Sequence, residues 1–433
     1  MQKESALCVS LLEDLFRGSP CPGIAVRLWD GTVWAPHAGP DAPPLSTFVI
    51  RHPAALKRML LPPSETRLGE AFIFGDVDIE GDIFTVFPLV DYFFGRKWKI
   101  REIIGLLRKL WKLPSAAGLG NNRTGALFSG APHSKERDRK AVRYHYDVSN
   151  RFFSLFLDRL MTYSCAYFTA PDDDIDSAQD NKLDYICRKL RLKPGERFLD
   201  IGCGWGSLVM HAAEKYGAEA FGITLSRPQA EFASEAIKHA GLDGKCRVDV
   251  MDYRDVEHPE GFHKIASVGM FEHVGESRLN LYFRKAWRLL KAGGAFLNHG
   301  IGFGARTRPT FGKTFSDSYV FPDGELLHLD RTLRAAEGAG FEIRDVEGLR
   351  EHYARTLRLW VARLEKNRVQ AIQAVGEELY RIWRLYMSGS AYGFEAGYLN
   401  VYQCLLVKAE DGRCPLPPTR TDLYAPYPAD KLR

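Results

Sequence analysis

No CxxC pair occurs among the eight cysteines, which stand apart at Cys8, Cys21, Cys165, Cys187, Cys203, Cys246, Cys404 and Cys414. That scatter excludes a disulfide scaffold and predicts reduced thiols in a cytoplasmic protein, with no metal site expected. Long apolar runs are missing too. None approaches the roughly 18 to 20 residues of a spanning helix, and the Ile83 to Val90 run is bounded by Asp82 and Asp91. The opening stretch MQKESALCVSLLEDLF is broken by Glu13 and Asp14 and lacks a small-residue cleavage site, so no secretory signal is expected. Membrane contact must therefore be peripheral. A strong excess of one charge is also lacking: 59 basic against 54 acidic side chains leave +5, too mild for a dedicated nucleic-acid binder. No internal repeat is found. What is present, 433 residues with 45% hydrophobic and 26% charged, excludes global disorder and predicts two or three domains.

Residues 1–113 read as a small α+β domain. A helical pattern runs from Pro53 to Leu61, and β-like segments lie at 48–50 and 70–82. The alternation of Phe72, Phe74, Val77 and Ile79 predicts a hairpin or meander turning at Gly75-Asp76 and Gly81. The segment WKIREIIGLLRKLWK (98–112) sets Ile100, Ile103, Ile104, Leu107, Leu110 and Trp111 at helical spacing among Lys and Arg. Two readings fit it, an interfacial helix or an ordinary helix packed on its own domain. Residues 114–138, rich in Gly, Ser, Ala and Asn, read as a flexible linker. From 139 to 410 short apolar runs alternate with helices, the pattern of a parallel α/β sheet. The Pro-rich tail 411–433 is expected to be extended or disordered.

Within LKPGERFLDIGCGWGSLVMHAAEKYG (192–217) the pattern gives a strand over 197–201, a Gly-rich loop and a helix starting near Gly206. Glycines 202, 204 and 206 let the backbone approach a ligand, and the helix start offers unpaired N–H groups. The next strand ends in Thr224 without the acidic residue that a dinucleotide fold presents to a ribose, which argues against NAD. A third strand leads to Asp252 and Tyr253, placed to meet a purine. A fourth runs into a loop carrying Glu272 and His273. A Gly293-Gly294 turn then precedes a fifth strand ending at His299.

The succession LDIGCG, MFEHVG and LLKAGG resembles class I S-adenosylmethionine-dependent methyltransferases. Longer stretches narrow this: RYHYDVSNRFFSLFLDRLMTYSCAYF (143–168), FGITLSRPQ (221–229), SVGMFEHVG (267–275), FLNHGIG (296–302), FPDGELLHL (321–329) and EHYARTLRLW (351–360). Over residues 140–408 the chain resembles cyclopropane-fatty-acyl-phospholipid synthases and the related mycolic acid cyclopropane synthases. The resemblance implies a Rossmann-like α/β domain with a central, mostly parallel sheet, preceded by a small α+β lipid-binding domain. It implies methylene transfer from S-adenosylmethionine to cis double bonds of phospholipid acyl chains, with bound bicarbonate removing a proton as the ring closes. The implied bicarbonate site is Cys165, Glu272, His299, Ile301 and Tyr353, and the implied cofactor positions are Tyr163, Ser164, Gly202, Cys203, Gly204, Thr224, Gln229, Asp252 and Tyr253. The implied setting is the inner face of the membrane, and a homodimer is left open.

The chemistry accounts for these residue types. An unactivated alkene must be held in line with the sulfonium methyl away from water. The transient cation needs π-faces, for which Tyr163, Tyr167, Phe168, Trp205, Phe315 and Tyr319 are candidates. Plain alternatives stand beside each assignment. Cys165 is also a suitable small buried hydrophobe, Glu272 a helix-start acid, His299 a core histidine, Tyr353 a packing residue, and the helix over 349–368 a solvated basic face. One departure from the family is Ser390, at a position where many members carry cysteine. Since a cation route needs no covalent enzyme adduct, the change is tolerable. Two other functions stay open: a fatty acyl C-methyltransferase giving a methyl-branched or methylated alkene product, and a non-catalytic lipid-binding protein.

Overall fold

The computed structural model describes residues 2–19, 23–35, 44–115, 133–146, 148–307 and 313–424. Two compact units divide the chain otherwise than the sequence boundaries at 113 and 139. One unit gathers Met1–Leu127, Thr310–Val320 and Val375–Tyr392; the other gathers Phe128–Pro309, Phe321–Ala374 and Gly393–Arg433. Two segments expected in the catalytic domain thus belong to the first unit. Local polar contacts show why. Arg381, in the helix Glu377–Glu395, is buried and donates to the Phe72 carbonyl at 2.9 Å and to Asp78 at 3.0 Å, while the Tyr319 hydroxyl reaches Glu70 at 2.9 Å.

The first unit holds a four-stranded sheet in the order Val33–Trp34, Ile24–Arg27, Ser46–Ile50, Val77–Gly81, with only the middle pair parallel. The expected hairpin over 70–82 is half wrong. Glu65–Ile73 is a helix whose N-terminus is capped by the Ser64 hydroxyl, and only Val77–Gly81 is a strand. Phe72 and Ile73, adjacent and both buried, lie in that helix's last turn, and a short apolar run does not by itself distinguish helix from strand. The segment forms the helix Ile100–Lys112, which packs on its own unit as the second reading has it. It buries Leu106 and Leu110 against its own unit and exposes Ile100, Ile103, Ile104, Leu107 and Trp111.

The second unit is built on seven strands: β1 (Arg197–Ile201), β2 (Glu219–Thr224), β3 (Cys246–Val250), β4 (Phe262–Val268), β5 (Leu290–Phe303), β6 (Glu342–Gly348) and β7 (Leu399–Val407). Their order is β6-β7-β5-β4-β1-β2-β3, and β7 alone runs against the rest. This is the expected α/β architecture with a mostly parallel sheet. Period-two alternation supplies two cores. Phe198, Ala295 and Leu297 pack with the helices Ile175–Leu190, Ser207–Tyr216 and Arg227–His239, whereas Leu199, Ile201 and Phe296 pack with Leu279–Leu289 and Leu329–Gly338.

Four expectations for this unit need correction. The expected turn at Gly293-Gly294 lies within the fifth strand rather than before it: β5 begins at Leu290, Gly293 has φ +72°, and the register against β4 shifts between Leu290 and Ala295. Because β5 runs on to Phe303, His299 lies inside it, opposite Val268 at the end of β4, rather than at the strand's own end. The linker expected over 114–138 overlaps a helix, Lys135–Tyr146, which buries Ala141, Val142 and His145 and ties Arg137 to Asp323; residues 116–132 of that segment lie outside the described residues. In the tail, Thr421–Tyr424 is a helical turn with Leu423 buried and Asp422 paired to Arg191 at 2.9 Å, and residues 425–433 lie outside the described ones.

Candidate active site

The strand order reverses between β1 and β4, the position at which open α/β sheets bind ligands beyond their carboxyl ends. A cavity of about 120 Å³, partly open to solvent, lies at the carboxyl ends of β1 to β4. All nine cofactor positions implied by resemblance line it: Tyr163, Ser164, Gly202, Cys203, Gly204, Thr224, Gln229, Asp252 and Tyr253. The loop after β1 can take its path only because of its glycines. Gly202 has φ +83°, and a Cβ there would stand 2.7 Å from the Met270 side chain. Gly204 has φ +55° with no protein atom within 4 Å of a built Cβ, so its outer side is open.

Polar groups in the cavity wall are partly engaged already. The Asp252 carboxylate is held by Arg254 at 2.6 Å, the Thr224 hydroxyl donates to Gln229 at 2.7 Å, and Trp205 donates to Asn150 at 2.8 Å. One acid is not engaged. Asp200 is buried with Oδ1 lacking a hydrogen-bond partner among the described residues, and burial pushes it up to about 7 against the pull of Lys182. Lys182 is itself buried, donates to the Ser164 hydroxyl at 2.7 Å, and is pulled down to about 8 by burial. A cationic ligand bearing its own donors suits such a wall better than a neutral one, because it partners the orphaned carboxylate.

A second group sits beside this cavity wall, linked through the sheet. Glu272, in the short turn Phe271–His273 after β4, accepts the Ile301 N–H at 2.7 Å. Ile301 is the cross-strand partner of Val401, whose carbonyl accepts the Leu349 N–H at 2.8 Å. The Leu349 carbonyl in turn accepts from the Tyr353 N–H at 3.0 Å and the Cys165 thiol at 3.8 Å. His299 precedes Ile301 by two in β5 and bonds Gln403 at 3.2 Å. Backbone bonds of the sheet and helix thus link the positions of Cys165, Glu272, Ile301 and Tyr353, with His299 two residues along β5; none of the five lines the cavity, and Ser390 belongs to the other compact unit.

Burial sets the charge states here. It pushes Glu272 up to about 7 although the Ile301 N–H pulls the other way, and it drives His299 down to about 3 with help from Lys182 and Lys189. The Cys165 thiol is driven far above the ordinary range, so it is a neutral donor and not a thiolate nucleophile. Of the aromatic candidates, Tyr163 and Trp205 line the cavity. Tyr167 stacks on Tyr185 and His352, Phe168 on His352, and Phe315 and Tyr319 pack on each other in the other unit, so these four are not cavity walls.

Sequence reasoning missed Lys182, Tyr146 and Arg254 in the cavity wall, and Lys189 and Gln403 behind His299. A signal existed for the lysines. Gln179, Lys182, Ile186 and Lys189 recur at helical spacing on the stripe that also carries Ile175 and Leu183, and polar residues on a core-facing stripe need a buried partner.

The family model for mycolic acid cyclopropane synthetase matches residues 133–404. A probable fatty acid methyltransferase of Pseudomonas putida is 41% identical over 405 residues, 93% of this chain and 96% of its own length. Cyclopropane mycolic acid synthase 1 of Mycobacterium tuberculosis is 38% identical over 273 residues, 60% of this chain and 94% of its own length. The crystal structure of a mycolic acid cyclopropane synthase complexed with S-adenosylhomocysteine and CTAB aligns with a TM-score of 0.59 at 36% identity, covering 62% of this chain and 97% of that one.

Proposed function

Since the chain belongs to the mycolic acid cyclopropane synthetase family of S-adenosylmethionine-dependent methyltransferases, we propose that it transfers the methyl carbon of S-adenosylmethionine to the cis double bond of an unsaturated phospholipid acyl chain and closes a cyclopropane ring. The observation that carries this reading is a ligand cavity whose wall includes Met270 and His273, the chain neighbourhood of Glu272, whose Oε2 is buried without a hydrogen-bond partner among the described residues.

S-adenosylmethionine supplies an electrophilic methyl. The chain's part is to hold it: the Gly202–Gly204 backbone leaves room, Asp200 offers an unpartnered acceptor, and Tyr163 and Trp205 exclude water. Methylation of the alkene leaves a carbocation, and burial keeps the thiols of Cys165 and of the cavity-lining Cys203 protonated, so neither is a thiolate that would capture it. Ring closure then needs a proton removed from the transferred methyl. Bicarbonate fits the neighbouring group as that base, because Cys165 is a neutral donor and Glu272, poised at about 7, can meet an anion in its protonated form.

The membrane is proposed as the source of acyl chains. The helix Ile100–Lys112 shows solvent an apolar stripe, with Ile100 77% and Trp111 71% exposed, beside exposed Lys97, Lys99, Arg101, Arg108 and Lys112. Apolar side chains flanked by cations match an anionic lipid surface. Among the described residues no helix is long and apolar enough to cross a membrane.

A second reading, a fatty acyl C-methyltransferase, is favoured by the name of the Pseudomonas relative, which matches nearly the whole chain. Trideuteromethyl-labelled S-adenosylmethionine separates the two. Ring closure removes one deuteron from the methyl and consumes the alkene, whereas loss of a chain proton keeps all three deuterons and an alkene. Mass spectrometry of the product before and after ozonolysis reads both. No incorporation of label into any acyl chain would reject both readings.

A further inference from the structure

His299, Gln403 and Glu347 occupy one row across three adjacent strands. Gln403 in β7 is the register partner of His299 in β5, and Glu347 in β6 is the register partner of Gln403. From the helix Ile175–Leu190, Lys189 reaches this row and donates to Glu347 Oε2 at 2.5 Å and to Gln403 Oε1 at 2.8 Å. Lys189 and Gln403 are fully buried and His299 nearly so. The side-chain amide therefore has no solvent alternative.

The donor and acceptor inventory leaves one arrangement. A lysine ammonium held by a carboxylate only donates, so the Gln403 oxygen must face it. The amide nitrogen then faces His299 Nδ1 at 3.2 Å, and because an amide NH₂ only donates, Nδ1 must accept. A neutral imidazole with an acceptor at Nδ1 carries its proton on Nε2. His299 is neutral, since burial and the nearby Lys182 and Lys189 all disfavour a charged ring.

We infer that Lys189 and Gln403 act as positioning residues that lock His299 in the Nε2–H tautomer, so that its free nitrogen is a permanent donor for the anion of the proposed reaction. This rests on the reading of His299 as part of the reaction site. It goes beyond that reading in assigning a role to two residues outside the site and a proton to a stated atom. A donor at Nε2 suits bicarbonate or any carboxylate-like anion, whereas the other tautomer would turn a lone pair toward it.

The test is tautomer-sensitive NMR of protein labelled with ¹⁵N- and ¹³C-histidine, the His299 signals being identified by their loss in His299→Asn. The wild-type ring should show a protonated Nε2 and an unprotonated Nδ1. Gln403→Glu keeps the shape and the acceptor for Lys189 but turns an oxygen toward Nδ1, so the proton should move to Nδ1. Gln403→Met removes both partners and should leave a tautomer mixture, which provides a second readout if the buried glutamate prevents folding. In either variant affinity for S-adenosylmethionine should stay within about 2-fold while kcat falls roughly 10²-fold or more, the range in which a misplaced histidine proton acts. A wild-type ring protonated at Nδ1, or a tautomer that does not respond to either substitution, would overturn the inference. A tautomer that switches with kcat unchanged would instead overturn the reading of His299 as a reaction residue, and the positioning role with it.

Discussion

Glu272 Oε1 accepts the backbone N–H of Ile301 at 2.7 Å while Oε2, equally buried, has no hydrogen-bond partner among the described residues. One oxygen is thus committed to the sheet and the other is left for a ligand or a proton. Burial resolves the conflict by raising the carboxyl to about 7. The arrangement separates the acid's structural function from its chemical one, which makes it testable by substitution.

Glu272→Gln keeps an acceptor for Ile301 and removes the titration. In the folded wild type this carboxyl holds its proton to a higher pH than in the unfolded chain, so its stability contribution is complete below the ordinary carboxylate range and is lost as pH rises through about 7. The variant should therefore gain in melting temperature relative to wild type between about pH 5 and pH 8, by the equivalent of on the order of 3 kcal/mol. Turnover should fall by roughly 10² to 10⁴-fold with cofactor affinity intact, and the response to added bicarbonate should disappear. Normal turnover with an ordinary bicarbonate response would remove Glu272 from the reaction.

Gly204→Val puts a β-branched side chain at φ +55° with its Cβ on the open side of the loop after β1. The backbone strain is about 1 to 3 kcal/mol, and the side chain would occupy ligand space. Binding of S-adenosylmethionine, measured by calorimetric titration, should weaken by at least ~100-fold in a protein that still unfolds cooperatively. Unchanged affinity would mean that the cavity is not the cofactor site.

Cys165 is fully buried and its thiol is held protonated by that burial. Iodoacetamide at neutral pH should leave it unmodified in the native protein while the half-buried Cys414 reacts, with mass spectrometry of peptides as the readout. Rapid native-state labelling of Cys165 would contradict its assignment as a neutral donor.

For the membrane, the structure also says which lysines to change. Lys109 bonds Asp14 and Ser10 within its own unit, so it is unsuitable. Replacing the exposed Lys97, Lys99 and Lys112 with Gln should cost about 1 kcal/mol each in binding to anionic vesicles at low salt, with the difference shrinking as ionic strength rises. Trp111→Glu and Ile100→Glu should weaken binding at every salt concentration. Equal co-sedimentation of all the variants would show that this face does not meet lipid.

Much of the nucleotide-binding half was legible because its signals are local. Strand β1, its glycine turn and the following helix are contiguous in LDIGCGWGSLVM, and the alternation that sorts Phe198 from Leu199 and Ile201 is visible in five letters. Glycine requirements and period-two burial are properties of a few neighbouring residues, and these the chain states for itself. The nine cofactor positions followed from such motifs by resemblance, and the fold brings all of them to one cavity.

What the tertiary structure alone decided involves residues that are distant in sequence. The pairing of Gln403 with His299 depends on the register of β7 against β5, and that of Lys189 with Gln403 on how a helix more than two hundred residues earlier packs over the sheet. Nothing local distinguishes Lys182 or Lys189 from a surface lysine except their place on a buried stripe. The misreadings have the same origin. Phe72 and Phe74 alternate like a strand, yet the Ser64 cap and the core beneath Phe72 and Ile73 select a helix, because packing of a short apolar run outweighs its local pattern. Charge states were equally out of reach: the same glutamate, histidine and cysteine titrate ordinarily in water, and only their removal from it makes Glu272 a proton-holding acid and His299 a neutral ring.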